Sequence, residues 1–263
     1  VSTPPDGAGY SLANHVVLVT GARRGIGRAV AIQAAALGAH VVVHVRTREQ
    51  ADAAARLPGE PAVQAVWGDL STVDGVRAVV AAAGNLYGRL DGLVNNAGLA
   101  IIRPAADLTP EEWEQQCAVN VRATFFACQA ALPYLRRSTA PAIVNITSLH
   151  ADVAVPGRVA YAVSKAAVAH LTRTLAVEWA PWGIRVNAVA PGFVRTEQVR
   201  QLLADVGEQI AARTPLGRVA EPADIAGAVC FLLSPAARHI TGAVLPVDGG
   251  YTLYGGWTLP PGR

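Results

Sequence analysis

In 263 residues no apolar stretch runs uninterrupted for the about 20 residues that a membrane-crossing helix requires. The longest, AVAIQAAALGAHVVVHV at 29–45, is broken by Gln33, Gly38 and His40, so no membrane span is expected. The first residues, VSTPPDGAGYSLANH, carry neither the charged start nor the apolar centre of a secretory signal, and their turn-forming composition predicts a loose arm. Cysteine is scarce. Cys117, Cys128 and Cys230 are odd in number and far apart, which excludes a disulfide framework and predicts reduced, buried thiols in a cytoplasmic protein. His40 and His44 would share one face of a strand, but no Cys, Asp or Glu cluster accompanies them, and no metal site is expected. A net charge of +3 is too mild and too dispersed for nucleic-acid binding. No Pro/Gly/Ser linker, short repeat or low-complexity tract divides the chain.

What the chain does have is apolar bulk: 52% hydrophobic against 16% charged residues, enough for a large core. Short β-branched runs alternate with longer helical patterns. Strands are expected at 15–20, 40–45, 62–67, 90–95, 142–147, 184–190 and 243–248, with long helices over about 110–136 and 159–179. Because the strand runs do not alternate apolar with polar residues, both sheet faces must be covered. The expected fold is therefore α/β, a single-domain, doubly wound parallel sheet over 14–253, flanked by an arm at 1–13 and a tail at 254–263.

The first strand runs directly into TGARRGIG at 20–27 and then a helix. Glycines in that position permit a tight turn and close backbone approach, while the helix N-terminus presents free N–H groups to a pyrophosphate. The Lys-Ser/Thr ending of a nucleoside-triphosphate loop is missing, which disfavours that class of enzyme.

The glycine spacing resembles the cofactor loop of the short-chain dehydrogenase/reductase family, and further motifs follow in the family's order: GDL at 68–70, NNAG at 95–98, AVNV around Asn120, ITS ending in Ser148, YAVSK with Tyr161 and Lys165, and PG at 191–192. Members similar to 3-oxoacyl-carrier-protein reductases share this set. The resemblance covers about 14–253 and implies a seven-stranded Rossmann-like sheet. It implies a dinucleotide held by Gly21, Arg23, Arg24, Gly25, Ile26, Gly27, Arg46, Asp69, Leu70, Asn96, Ala97, Gly98, Tyr161, Lys165, Pro191, Gly192, Val194 and Thr196. It also implies catalysis by Asn120, Ser148, Tyr161 and Lys165, and a homotetramer paired through the two long helices and the last helix and strand.

The chemistry suits those residue types. Hydride transfer to a ketone builds alkoxide character on oxygen, which needs a proton donor and hydrogen-bond support. Tyr161 and Lys165 stand four apart on a predicted helix and so share a face. Lowering a phenol from about 10 to about 8 takes about 2.7 kcal/mol. A unit positive charge about 4 Å away supplies about 4 kcal/mol at an effective dielectric of 20, so Lys165 is expected to depress Tyr161. No carboxylate stands at the end of the second strand, where Val45 is followed by Arg46, and Arg24 lies inside the glycine turn; both favour NADPH over NADH. The expected activity is NADPH-dependent hydride transfer between nicotinamide and a ketone or secondary alcohol. The alternatives are an NAD-dependent secondary-alcohol dehydrogenase and a catalytically silent dinucleotide-binding regulator. For the substrate pocket the sequence offers Ser148, His150, Val155 and Tyr161, with His150 equally readable as a solvated loop residue. Arg195, Arg200, Arg213 and Arg218 read either as a landing place for an acidic carrier or as a solvated face.

Overall fold

The computed structural model describes residues 10–54 and 63–255. Seven strands, β1 (Val16–Val19), β2 (His40–Val45), β3 (Val63–Trp67), β4 (Gly92–Asn95), β5 (Ala142–Ile146), β6 (Arg185–Pro191) and β7 (Val244–Val247), form one sheet in the order β3-β2-β1-β4-β5-β6-β7. Every pairing is parallel. Eight α-helices cover its two faces: α1 (Gly25–Ala36), α2 (Arg48–Ala54), α3 (Val73–Tyr87), α4 (Pro110–Cys117), α5 (Ala123–Leu135), α6 (Val159–Trp179), α7 (Arg200–Arg213) and α8 (Pro222–Leu233).

Two cores result, and strand pleating sorts residues between them. Val17, Val19, Val41 and Val43 face α1 and α8, meeting Val30, Ala34, Ile225 and Val229. Val16, Leu18, Val42 and Ile143 face α3, α5 and α6, meeting Val80, Ala131, Leu175 and Trp179. Full burial of side chains such as Leu18 and Ile143 contributes about 1.5–3 kcal/mol each, which explains the unbroken apolar runs of the central strands. The helix starts are written locally. Thr72 caps α3 by accepting from Gly75 N, and Thr109 with Glu112 forms a capping box that opens α4 at Pro110.

β1 lies between β2 and β4, so the chain winds outward in both directions from it. The crevice at this switch point opens at the C-terminal strand ends, where an α/β sheet binds its ligands.

Several expectations need correction. The helix expected over 110–136 is interrupted: α4 ends at Cys117, and Ala118–Arg122 forms a π-helical turn in which Ala123 N donates to Ala118 O. Residues 1–9 of the expected arm lie outside the described residues, but 10–13 are packed. Leu12 is fully buried, and the Tyr10 hydroxyl donates to Gly227 O at 2.8 Å. Of the tail only 254–255 are described. Cys128 and Cys230 are buried, and burial pushes both thiols up to about 12, whereas Cys117 is partly exposed on the outer side of α4. No helix among the described residues is long and apolar enough to cross a membrane.

Candidate active site

The glycine turn after β1 is held from below. Gly21 has φ +64°, and a Cβ there would stand 2.9 Å from Ala97 Cα; at Gly27 it would stand 2.4 Å from Asn96 Nδ2. Thr20 Oγ1 accepts from Asn96 N and Ala97 N, both at 3.0 Å, while Asn96 Nδ2 donates to Thr20 O at 2.9 Å and Gly21 O at 3.1 Å. Asn96 and Ala97 therefore brace the turn. His44, weighed from sequence only as a metal ligand, braces it as well: Gly21 N donates to Nδ1 at 3.2 Å, and Nε2 pairs with Gly68 O at 3.0 Å. That pairing requires a neutral ring protonated at Nε2, and burial holds His44 below the usual histidine range. Nothing in the sequence marks this role, which depends on strand register.

Above the brace, α1 begins without a side-chain cap, leaving its first N–H groups for an anion. A dinucleotide pyrophosphate fits this cradle. Arg23 and Arg24 are exposed on its rim, and Arg24 pairs with Glu197 in the segment before α7. Arg46, exposed at the end of β2, has no ion-pair partner within 4.0 Å among the described residues. The Asp69 carboxylate accepts from Ser71 N and Oγ, both at 2.9 Å, and these bonds, with help from the Arg46 charge, hold it below the usual carboxylate range. The Leu70 and Val194 side chains are buried, so only their backbones face the crevice; Ile26 packs on the first core. At Gly192 a Cβ would stand 2.8 Å from Asp248 Cα, and at Gly25 one would meet the Thr196 methyl at 3.2 Å. Pro191 closes β6 beside them.

The residues expected to be catalytic gather at the end of β5. Ser148 follows that strand, with Oγ accepting from His150 N at 3.2 Å. Tyr161 and Lys165 lie on α6, the ammonium 5.7 Å from the phenol ring centre. Lys165 Nζ is buried and donates to Ile146 O at 2.8 Å; desolvation pushes it down from 10.5 to about 8. Tyr161 moves opposite to expectation. Burial pushes its phenol up, and the counteracting influences are the Ser148 hydroxyl and the Arg158 guanidinium rather than Lys165. Asn120 sits in the π turn, where Oδ1 accepts from Leu99 N at 2.8 Å and Nδ2 donates to Leu99 O and Ser164 Oγ, both at 2.9 Å. A Cβ on Gly98 would lie 3.6 Å from both Asn120 Oδ1 and Lys165 Nζ, so the cofactor segment after β4 meets the catalytic groups there.

On the remaining side, His150 is buried rather than solvated. Its ring stands edge-on to Tyr161 and to Phe193, each centre 5.9 Å away, and its Nδ1 has no partner. Val155 is partly exposed in the same loop. The four arginines considered for an acidic carrier are engaged elsewhere. Arg195 pairs with Glu221, Arg200 with Glu197 and Arg218 with Asp224, while Arg213 stacks on Tyr251 at 4.5 Å. Arg158, not singled out by the sequence, is a second buried cation of the pocket beside Lys165.

Residues 21–252 match the family described as Enoyl-(Acyl carrier protein) reductase. The chain belongs to the short-chain dehydrogenase/reductase family. This dehydrogenase/reductase is 40% identical over 247 residues to a cis-4-hydroxycyclohexanecarboxylate dehydrogenase from Sinomonas cyclohexanicum, covering 93% of this chain and 99% of the relative. It is 37% identical to a 3-oxoacyl-[acyl-carrier-protein] reductase from Staphylococcus aureus (89% and 96% covered) and 35% identical to an NAD-dependent glycerol dehydrogenase from Listeria innocua (93% and 96%). A gluconate 5-dehydrogenase from Burkholderia cenocepacia, solved with NADP and tartrate, superposes with a TM-score of 0.89 at 34% identity, covering 94% of this chain and 98% of that one. The short-chain dehydrogenase/reductase is thus an oxidoreductase of a nicotinamide-binding family with a single Rossmann-like domain.

Proposed function

We propose that this enzyme transfers hydride between NADPH and a ketone or secondary alcohol, with Tyr161 as general acid and base. The observation that carries the reading is the convergence of Ser148, Tyr161 and Lys165 at the end of β5, beside the glycine cradle that fits a dinucleotide. The bound nicotinamide supplies the hydride. Ser148 Oγ orients the carbonyl oxygen, and the Tyr161 hydroxyl protonates the alkoxide that develops there. A phenol raised by burial stays protonated near neutral pH, which is the form reduction requires. Lys165 has one protein acceptor for three donors, leaving two for the ribose hydroxyls of the cofactor. Asn120 shapes the π turn and holds the backbone at Leu99 beside the ammonium.

NADPH is favoured because β2 ends in an unpaired Arg46 without an acid at that position, although the related proteins include one named for NAD and one solved with NADP. Arg24 joins the phosphate only by leaving Glu197. We further infer a homotetramer in the cytoplasm. A mainly apolar groove where α4, the π turn, α5 and α6 meet, lined by Ala118, Val121, Phe125 and Leu171 with Glu114 and Arg122 at its edge, supports the assembly, and three free thiols support the compartment.

The test is Tyr161→Phe. Reductase kcat falls by about 10²- to 10⁴-fold while NADPH affinity, followed by nicotinamide fluorescence, stays within about twofold. Retained turnover in the variant overturns the mechanism.

A further inference from the structure

Gly157, at φ +75°, turns the pocket loop into α6, and its carbonyl accepts from Arg103 N at 2.9 Å. The next residue is Arg158. It is 9% exposed, yet its guanidinium has no carboxylate within 4.0 Å and no hydrogen-bond acceptor among the described residues. Arg185 shows what a structural arginine looks like in this protein: it donates to the carbonyls of Leu232, Leu233 and Ser234. A largely covered guanidinium whose nitrogens still reach solvent, and which no protein acceptor engages, is open to an anion arriving from solution.

The surroundings say what arrives. Arg158 is the residue at which the chain enters α6, three before Tyr161, and its charge bears on both Tyr161 and His150. Beside the phenol, His150 Nδ1 is buried without a hydrogen-bond partner among the described residues. Burial and the Arg158 charge keep His150 below the usual histidine range, outweighing a backbone contact at Val153 that acts the other way, so the ring is neutral and carries a single proton to donate. Phe193 and Tyr251, edge-on to each other at 5.3 Å, continue the His150 wall with apolar surface and exclude water from it.

We infer that Arg158 and His150 form a carboxylate subsite, so that the substrate is an oxo acid or hydroxy acid whose carboxylate pairs with the Arg158 guanidinium and accepts from His150 Nδ1. This rests on the hydride-transfer reading of the same cleft. The planar fork of arginine takes a carboxylate with two parallel N–H bonds, and such a pair is strengthened where aromatic rings replace water. The rest of the substrate then lies along Phe193, with its carbonyl toward Ser148 and Tyr161.

Two measurements separate the subsite from the reaction. In calorimetry on the NADP-saturated enzyme, cyclohexanecarboxylate binds at least about tenfold tighter than cyclohexanecarboxamide; Arg158→Gln abolishes the difference, Arg158→Lys keeps part of it, and His150→Phe reduces it. In turnover, 4-oxocyclohexanecarboxylate exceeds its methyl ester in kcat/KM by at least about tenfold, and that ratio collapses in Arg158→Gln. Unchanged NADPH affinity in each variant shows that the fold and cradle are intact. Equal binding of acid and amide, no binding of either, or a preference that survives Arg158→Gln overturns the subsite. A preference that depends on Arg158 in an enzyme whose turnover survives Tyr161→Phe leaves the subsite standing and removes the mechanism instead.

Discussion

Beneath the glycine turn the polar groups are satisfied by the protein itself: Thr20 Oγ1, both amide hydrogens of Asn96 and both ring nitrogens of His44 have partners. Beside Tyr161 the opposite holds. Lys165 has one acceptor, Arg158 has none, and His150 Nδ1 stands alone. The two regions are about equally buried, so burial does not explain the contrast. A satisfied network fixes one shape before any ligand arrives, whereas unsatisfied groups cost stability and are completed by cofactor and substrate. The floor under the glycine turn is a scaffold, and the wall beside Tyr161 holds polar groups that the protein itself leaves open.

Lys165→Met attacks that contrast hardest. Activity falls by at least about 100-fold, because the ammonium that holds the ribose and faces the phenol is gone. The variant is nevertheless more stable at pH 7, with Tm raised by several degrees. Lys165 titrates at about 8 in the folded chain and at 10.5 when free, so its penalty is complete below pH 8 and is relieved as pH rises to 10.5. Thermal melts at pH 7 and pH 10 check the sign: the variant's advantage shrinks at the higher pH. A variant less stable than wild type at pH 7 would show that Lys165 is structurally satisfied.

Arg46→Ala probes the rim between the regions. The wild-type preference for NADPH in kcat/KM shrinks about tenfold, equivalent to about 1.4 kcal/mol, while NADH use is unaffected. An NADH preference in the wild type reverses the cofactor assignment.

The gentlest probe concerns the floor. His44 is depressed below 6.5 by burial, so the unfolded chain takes up a proton at a higher pH than the folded chain does. Stability is therefore complete above 6.5 and declines as pH falls from 6.5 through the depressed value. In His44→Gln, whose side-chain oxygen can still accept from Gly21 N, the decline of Tm between pH 7.5 and 5.5 is flatter. An unchanged slope would place the acid sensitivity elsewhere.

How much was legible in advance divides along the same line. β1, β4 and β5 could be read from apolar runs because a strand buried on both faces has no reason to alternate, and α6 was bounded correctly at 159–179. The π turn at 118–122 was not readable. A widened turn leaves the apolar pattern almost unchanged, and what favours it is tertiary, the Asn120 side chain closing on Leu99 and Ser164. Nor was the sign at Tyr161: spacing pointed to Lys165, but desolvation of the phenol outweighs the opposing Ser148 and Arg158 influences. Four arginines between 195 and 218 attracted notice because they cluster in sequence. Three are ion-paired and one is stacked, whereas Arg158 was passed over.

The order of elements, the parallel sheet and the glycine turn were present in the amino-acid order, because periodicity and local sterics act over a few neighbouring residues. Which polar groups would find partners and which would be left waiting was decided only by packing. His44 meets Gly21 across β1 and β2, and Arg158 meets no carboxylate among the described residues, because satisfaction of a buried charge depends on everything that converges on it from distant parts of the chain.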